Sequence, residues 1–127
     1  MRFVIASFLT LHGMAHLVGF LVPWRLMATD TPYHTTLLAG RVNVGAGGIR
    51  AVGILWLLAL MPFLVAAGGV VLQQPWWPSV LWWGAVFSVL LSLAGWPDSR
   101  LGVVINLAIL AWLVMAHNQG WVVSLGR

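Results

Sequence analysis

The most constraining feature of the sequence is a run of 47 residues, 51–97, that contains no charged side chain. A helix needs about 20 apolar residues to cross the hydrocarbon core of a bilayer, so this run is long enough for two crossings. Residues 73–75, Gln-Gln-Pro, interrupt the run and predict a tight turn between them. Strands of a membrane barrel would alternate apolar and polar residues, whereas these segments are apolar on every face, which favours helices.

Two further apolar stretches flank this run, and the whole pattern predicts four transmembrane helices. The expected spans are residues 3–22, 51–72, 76–96 and 101–120, with a long connection over residues 27–49. Charged residues make up only 6% of the chain, against roughly 25% in soluble domains, and a soluble globule of this kind would expose large apolar patches. The sequence therefore predicts one all-α integral membrane domain, residues 1–127, folded as a four-transmembrane-helix bundle.

The long connection contains a turn signature at residues 29–32 and a glycine-rich run at residues 45–48. We expect a short interfacial helix over residues 35–42, followed by the glycine-rich run ahead of the second span.

Basic residues occur singly at the ends of the apolar stretches, and the formal net charge is +4. The two connections predicted on one side contain Arg25, Arg41, Arg50 and Arg100. Scattered arginines form no patch for a nucleic-acid backbone, so we expect contacts with lipid headgroups and no nucleic acid. The other side has only Arg2 and Arg127, which favours cytoplasmic connections and both termini outside.

The first span carries His12 and His16, which are one helical turn apart and therefore lie on one face. Ala15 and Gly19 share that face and form a small-residue pair on which another helix can pack closely. An ionisable side chain at membrane depth is by default a functional-site hypothesis. We expect both imidazoles to face the inside of the bundle.

The fourth span adds His117, which shares a helix face with Asn106. The cofactor hypothesis is haem or a quinone bound through His12, His16 and His117, with Asn106 nearby. A dedicated metal site is not expected, because two neutral imidazoles bind metal weakly and the spans contain no acidic residue. The simpler interpretation is that the histidines hydrogen-bond across helices and that no cofactor is bound.

The third span carries Gly84, Ser88 and Ser92 at intervals of four residues, which predicts a packing surface of small side chains. No paired carboxylates and no Ser-His-Asp pattern are readable, so no catalytic residue is predicted.

Two local patterns, LHGxxHxxGF at residues 11–20 and WPDxxxGxxxNL at residues 96–107, resemble small four-helix bacterial membrane proteins of the DoxX-like kind. The resemblance extends over the whole length in layout and implies a protein of the bacterial inner membrane. DoxX relatives are associated with quinone-linked redox complexes. The resemblance supplies no catalytic residue.

These observations predict a non-catalytic accessory or packing subunit of a larger respiratory or photosynthetic membrane complex. Its expected partners are the lipid bilayer and other transmembrane helices, either in that complex or in a homo-oligomer. The alternative is a membrane redox protein that binds haem, metal or quinone through His12, His16 and His117.

The topology can be tested with reporter fusions. Fusions at residues 1, 74 and 127 should all report one compartment, and fusions at residues 35 and 99 should report the other. A fusion at residue 74 that reads opposite to both termini would show that the span assignment is wrong.

Overall fold

The computed structural model describes residues 1–28, 30 and 32–120, and most of them are helical. Its elements are α1 (Arg2–Ala15), α2 (Leu17–Leu21), β1 (Thr36–Leu37), β2 (Val42–Asn43), α3 (Gly45–Val71), α4 (Trp77–Ala94) and α5 (Arg100–Asn118). Within the described residues, four helical segments are long and apolar enough to cross a membrane: α1 with α2, α3, α4 and α5. The four helical spans predicted from the sequence are therefore confirmed as helices of spanning length. Arg127, used in the orientation count, lies outside the described residues.

The helices pack in chain order, and the bundle divides into two halves. α3 packs against α1 and α2 on one side and against α4 on the other, and α4 packs against α5, whereas α1 and α5 share few close backbone contacts. The hydrophobic core fills the half that holds the turn between α3 and α4. Its largest members are Leu9, Phe63, Trp77, Leu81, Ile109 and Leu113.

The first span is broken at His16 into α1 and α2. The backbone N–H of His16 donates to Gly13 O at 3.0 Å, and the N–H of Gly19 donates to His16 O at 3.1 Å. Both bonds join residues three apart, so the chain tightens locally into 3₁₀ geometry before the helix continues. The carbonyl of His12, which would accept the His16 N–H in an unbroken α-helix, is thereby left for another donor.

α3 begins at Gly45, so the glycine-rich run forms its first turn, and the expectation that the run precedes the helix is wrong. The side chain of Asn43 promotes this early start, because its Oδ1 accepts a hydrogen bond from Gly45 N–H at 2.9 Å. α3 has 27 residues and continues through Pro62. At 1.5 Å per residue it is about 40 Å long.

The connection between α2 and α3 forms a two-stranded antiparallel hairpin, β1–β2, and the predicted interfacial helix over residues 35–42 is wrong. In the hairpin turn, Leu38 and Ala39 have left-handed backbone angles, φ 52° and 56°. Their N–H groups donate to Ala94 O at 2.8 Å and Trp96 O at 2.9 Å. These tertiary bonds to the end of α4 offset the cost of the left-handed conformation, which no local pattern indicates.

Packing of α3 against α4 depends on Gly84, and this can be measured against a matched glycine. A Cβ added at Gly84 would lie 2.7 Å from Pro62 Cβ, whereas one added at Gly68 would meet nothing within 4 Å. Gly84→Ala should therefore lower the free energy of unfolding in detergent by about 1–3 kcal/mol through overpacking. Gly68→Ala should be neutral or raise it by up to about 1 kcal/mol through helix propensity. Equal effects at the two positions would contradict the close contact.

Candidate functional site

The break at His16 determines the protonation pattern of its own ring. The His12 carbonyl lies 3.0 Å from His16 Nδ1. A carbonyl oxygen can only accept, so Nδ1 carries the proton and donates. In the neutral imidazole, Nε2 of His16 is then an acceptor.

A chain of hydrogen bonds of fixed direction continues from this ring. Ser88 Oγ–H donates to His16 Nε2 at 2.7 Å. Ser88 Oγ in turn accepts from Asn106 Nδ2 at 2.8 Å, and the same nitrogen donates to Gly102 O at 2.7 Å. The Gly102 carbonyl fixes the amide orientation, because an amide oxygen placed there would face another acceptor. Asn106 Oδ1 is therefore the acceptor for His12 Nε2–H at 3.1 Å.

The resulting polar network, defined here as His12, His16, Ser88 and Asn106, joins α1, α4 and α5. Ser88 and Asn106 are fully buried, and the two histidines are 9% and 5% exposed. With neutral rings every bond has one donor and one acceptor, and the two histidines have opposite tautomers. Among the described residues His12 Nδ1 has no hydrogen-bond partner, so it remains an unused acceptor.

Aromatic side chains of α3 enclose the two imidazoles. The ring of Phe63 lies 4.8 Å from that of His12 and 5.1 Å from that of His16, between centroids. Trp56 lies 5.5 Å from His16 and packs directly on Gly19. The predicted small residue at Gly19 is thus the contact point for an indole, because any Cβ there would occupy the space of the Trp56 ring.

A cavity of about 390 Å³ lies above the network, in the half of the bundle away from the hydrophobic core. Its inner end is formed by His12 and His16, and its walls come from the first span, α3, α5 and the end of α4. The wall residues are mostly apolar and include Val18, Val22, Ile49, Val52, Trp56, Leu101 and Ile105. The cavity is therefore apolar along its length with a polar inner end.

The outer end of the cavity is polar as well. His34 and Asp98 both line it, and His34 Nε2 lies 3.5 Å from Asp98 Oδ2. Tyr33 lines the same end and stacks under Arg25, whose Cζ is 4.4 Å from the ring centroid. Between Arg100, where α5 begins beside Asp98, and Asn106 the helix rises about 9 Å at 1.5 Å per residue, which gives the approximate depth.

Ser92 lines the cavity one helical turn from Ser88, on the side toward the outer end. The residue is fully buried, and its hydroxyl has no hydrogen-bond partner in the described part of the chain. Its backbone carbonyl accepts from Ser99 Oγ–H at 2.6 Å. A buried hydroxyl without a partner is uncommon in folded proteins and requires an explanation.

The structure does not bring His117 to the other two histidines. His117 is exposed and lines a separate groove between α4 and α5 with Trp82 and Leu113. It lies about 16 Å along α5 from Asn106. Three of the four ring nitrogens of His12 and His16 are engaged in hydrogen bonds, so one ligand set containing all three histidines does not form.

Other residues singled out from the sequence have separate places. Gly84 and Ser88 lie in the contacts described above, and Ser92 packs against Gly102. Ala15 is exposed and lines the cavity, so the structure does not place it in the predicted helix contact. The exposed residues proposed for lipid headgroups are Arg25, Arg41, Arg50 and Arg100. Arg25 follows α2, Arg41 lies in the hairpin turn, Arg50 lies in the second turn of α3, and Arg100 begins α5.

Several contributors to the site carried no sequence signal. Trp56 and Phe63 are ordinary aromatic residues of an apolar span, and His34 and Asp98 are 64 positions apart. Only the predicted topology, which puts both connections on one side, pointed toward the His34–Asp98 pair.

Comparison with family models, curated proteins and solved structures finds no match to this chain. The DoxX-like resemblance therefore stays a prediction, and function is inferred from the geometry alone.

The tautomers give a direct test of the network. In protein with ¹⁵N-labelled imidazoles, NMR should find His12 protonated at Nε2 and His16 protonated at Nδ1. Ser88→Ala removes the donor to His16 Nε2 and should shift that nitrogen strongly while leaving exposed His117 unchanged. The same tautomer at both rings, or no response of His16 to Ser88→Ala, would contradict the network.

Proposed function

We propose that the four long helices span a lipid bilayer and that the protein binds an amphipathic, lipid-soluble small molecule of the quinone class in the cavity. The helix lengths, 20, 27, 18 and 19 residues, suit a hydrocarbon core that needs about 20. The low share of charged residues, 6%, supports the same proposal. The expected location remains the bacterial inner membrane, with cytoplasmic connections.

One observation carries the binding proposal: a cavity with apolar walls ends on a buried polar network. Small-molecule sites are concave and mostly apolar, with a few fixed polar groups that orient the ligand. Here, among the described residues, the groups at the inner end without a partner are His12 Nδ1 and the Ser92 hydroxyl, and the volume of about 390 Å³ falls within the roughly 300–1,000 Å³ of such sites. Helix packing alone would favour filling this space, as it is filled on the other side of the bundle.

The arrangement of the helices supports access from lipid. α1 and α5 share few backbone contacts, and their cavity-lining residues include exposed Ala15 and Leu101. A molecule dissolved in the bilayer can enter between these two helices without crossing the polar outer end. This route favours a lipophilic ligand over a water-soluble one.

The quinone class suits the two chemical characters of the cavity. Its ring oxygens can hydrogen-bond at the polar inner end, and its flat ring can pack beside Trp56. The apolar tail can lie along the walls toward the gap between α1 and α5. The protein would hold the molecule, and an electron-transfer partner would act on it, which is compatible with an accessory role in a respiratory or photosynthetic complex.

The accessory-subunit hypothesis itself remains a separate prediction. The outward faces of the helices are apolar, with Leu11, Leu90 and Val104 among their exposed residues. Lipid and a neighbouring helix suit such faces equally, so the outward surface does not distinguish a packing subunit from a free bundle.

Binding can be measured by calorimetry of the protein in nanodiscs, titrated with 2-decyl-1,4-benzoquinone and corrected with protein-free nanodiscs. Ile105→Trp adds an indole to the cavity wall and should weaken binding at least about tenfold, or about 1.4 kcal/mol. Leu107→Trp is the matched control, because Leu107 is 51% exposed and does not line the cavity. Absence of saturable binding of both this quinone and its reduced hydroquinone, or equal loss in both variants, would contradict the proposal.

A further inference from the structure

The hydrogen-bond directions in the polar network determine which groups remain for a ligand. The network itself uses both ring nitrogens of His16, both Nδ2 protons of Asn106 and the Ser88 hydroxyl. His12 uses Nε2 toward Asn106, which leaves Nδ1 with a lone pair and no proton. The network therefore offers the cavity an acceptor and no spare donor.

His12 Nδ1 retains accessible surface, and His12 is one of the residues that line the cavity. Among the described residues, the fully buried side-chain nitrogen and oxygen atoms without a partner are Trp77 Nε1 and Ser92 Oγ. His12 Nδ1 also has no partner, yet it is not one of these buried atoms. Since His12 lines the cavity, its remaining 9% exposure provides a route for a ligand atom to reach this nitrogen.

Within the described part of the chain, Ser92 carries the second polar atom without a partner, and its hydroxyl can both donate and accept. Its Oγ is fully buried and lies one turn of α4 above the bond between Ser88 and His16, so His12 Nδ1 is the more exposed of the two atoms. A ligand carbonyl facing His12 would bring two acceptors together. A ligand hydroxyl can donate to His12 Nδ1, because a hydroxyl is a donor as well as an acceptor.

We infer that the cavity selects a ring that carries a free hydroxyl, the phenol or quinol type, and discriminates against the corresponding ether and against a ring with carbonyls alone. This inference rests on the proposed binding function and specifies the ligand form at the same site. His12 Nδ1 is the group that recognises the hydroxyl proton. Ser92 contributes to affinity with little selectivity.

A matched pair of ligands without redox chemistry tests the inference: 4-decylphenol and 4-decylanisole, which differ by methylation of the hydroxyl. Titrated into the protein in nanodiscs, the phenol should bind about tenfold more tightly than the anisole. 2-Decylhydroquinone, kept reduced, should likewise bind more tightly than 2-decyl-1,4-benzoquinone. Ile105→Trp should weaken binding of the phenol, and Leu107→Trp should leave it unchanged.

Two variants locate the selectivity. His12→Gln keeps an amide N–H that can donate to Asn106 but replaces the fixed ring nitrogen by an amide oxygen in a different position, so the preference for phenol should fall to about twofold or less. Ser92→Ala breaks no existing bond and should weaken both ligands alike while the preference persists. His117→Gln, outside the cavity, should change nothing.

Each outcome supports or overturns one of the two proposals. Equal binding of phenol and anisole, both weakened by Ile105→Trp, would overturn hydroxyl selection and leave the binding function intact. No saturable binding of any ligand would overturn both. Should His12→Gln fail to fold, ¹⁵N NMR of wild-type protein decides, because the phenol must shift His12 Nδ1 and the anisole must not. An unshifted Nδ1 with bound phenol would overturn the inference.

Discussion

The bond from the His16 ring to the His12 carbonyl is the interaction on which the site depends. It forms because the backbone tightens at His16 and directs the N–H of that residue to Gly13, which frees the His12 carbonyl. Once His16 donates from Nδ1, its Nε2 must accept, and the direction of every later bond through Ser88 and Asn106 follows. A local distortion of the main chain in the first helix thus sets the polarity of groups on two other helices.

The same network explains how a bundle with a cavity can hold together. On one side of the network, large apolar side chains such as Phe63 and Leu81 fill the space between helices. On the other side, α1 and α5 lie apart, and the bond between His12 and Asn106 is a direct link between them. A buried polar network in which nearly every donor and acceptor is paired contributes rigidity and fixes a single arrangement, which is what a preformed cavity requires.

Because the network pairs nearly all of its own donors and acceptors, the few polar groups left unpaired indicate which kind of ligand can bind. If several donors and acceptors lacked partners, a ligand of almost any polarity could be accommodated. Because the network consumes nearly all of them, the unused lone pair of His12 and the buried hydroxyl of Ser92 are the groups that remain at the inner part of the cavity. Ligand chemistry can therefore be inferred from the hydrogen-bond directions alone.

The sequence by itself determined the four long helices, because four stretches of about 20 residues, two of them within the uncharged run 51–97, are apolar on every face. It also determined that His12 and His16 share a face, since helical periodicity depends only on spacing. Only the tertiary structure decided what that face meets: Ser88 and Asn106 as partners, the aromatic rings of α3 as walls, and His117 in a separate groove. Periodicity fixes the direction in which a side chain points from its helix axis. The rotation and height of one helix relative to its neighbours depend instead on packing between residues far apart in sequence. The β1–β2 hairpin was missed for the same reason, because its turn is held by hydrogen bonds to the end of α4.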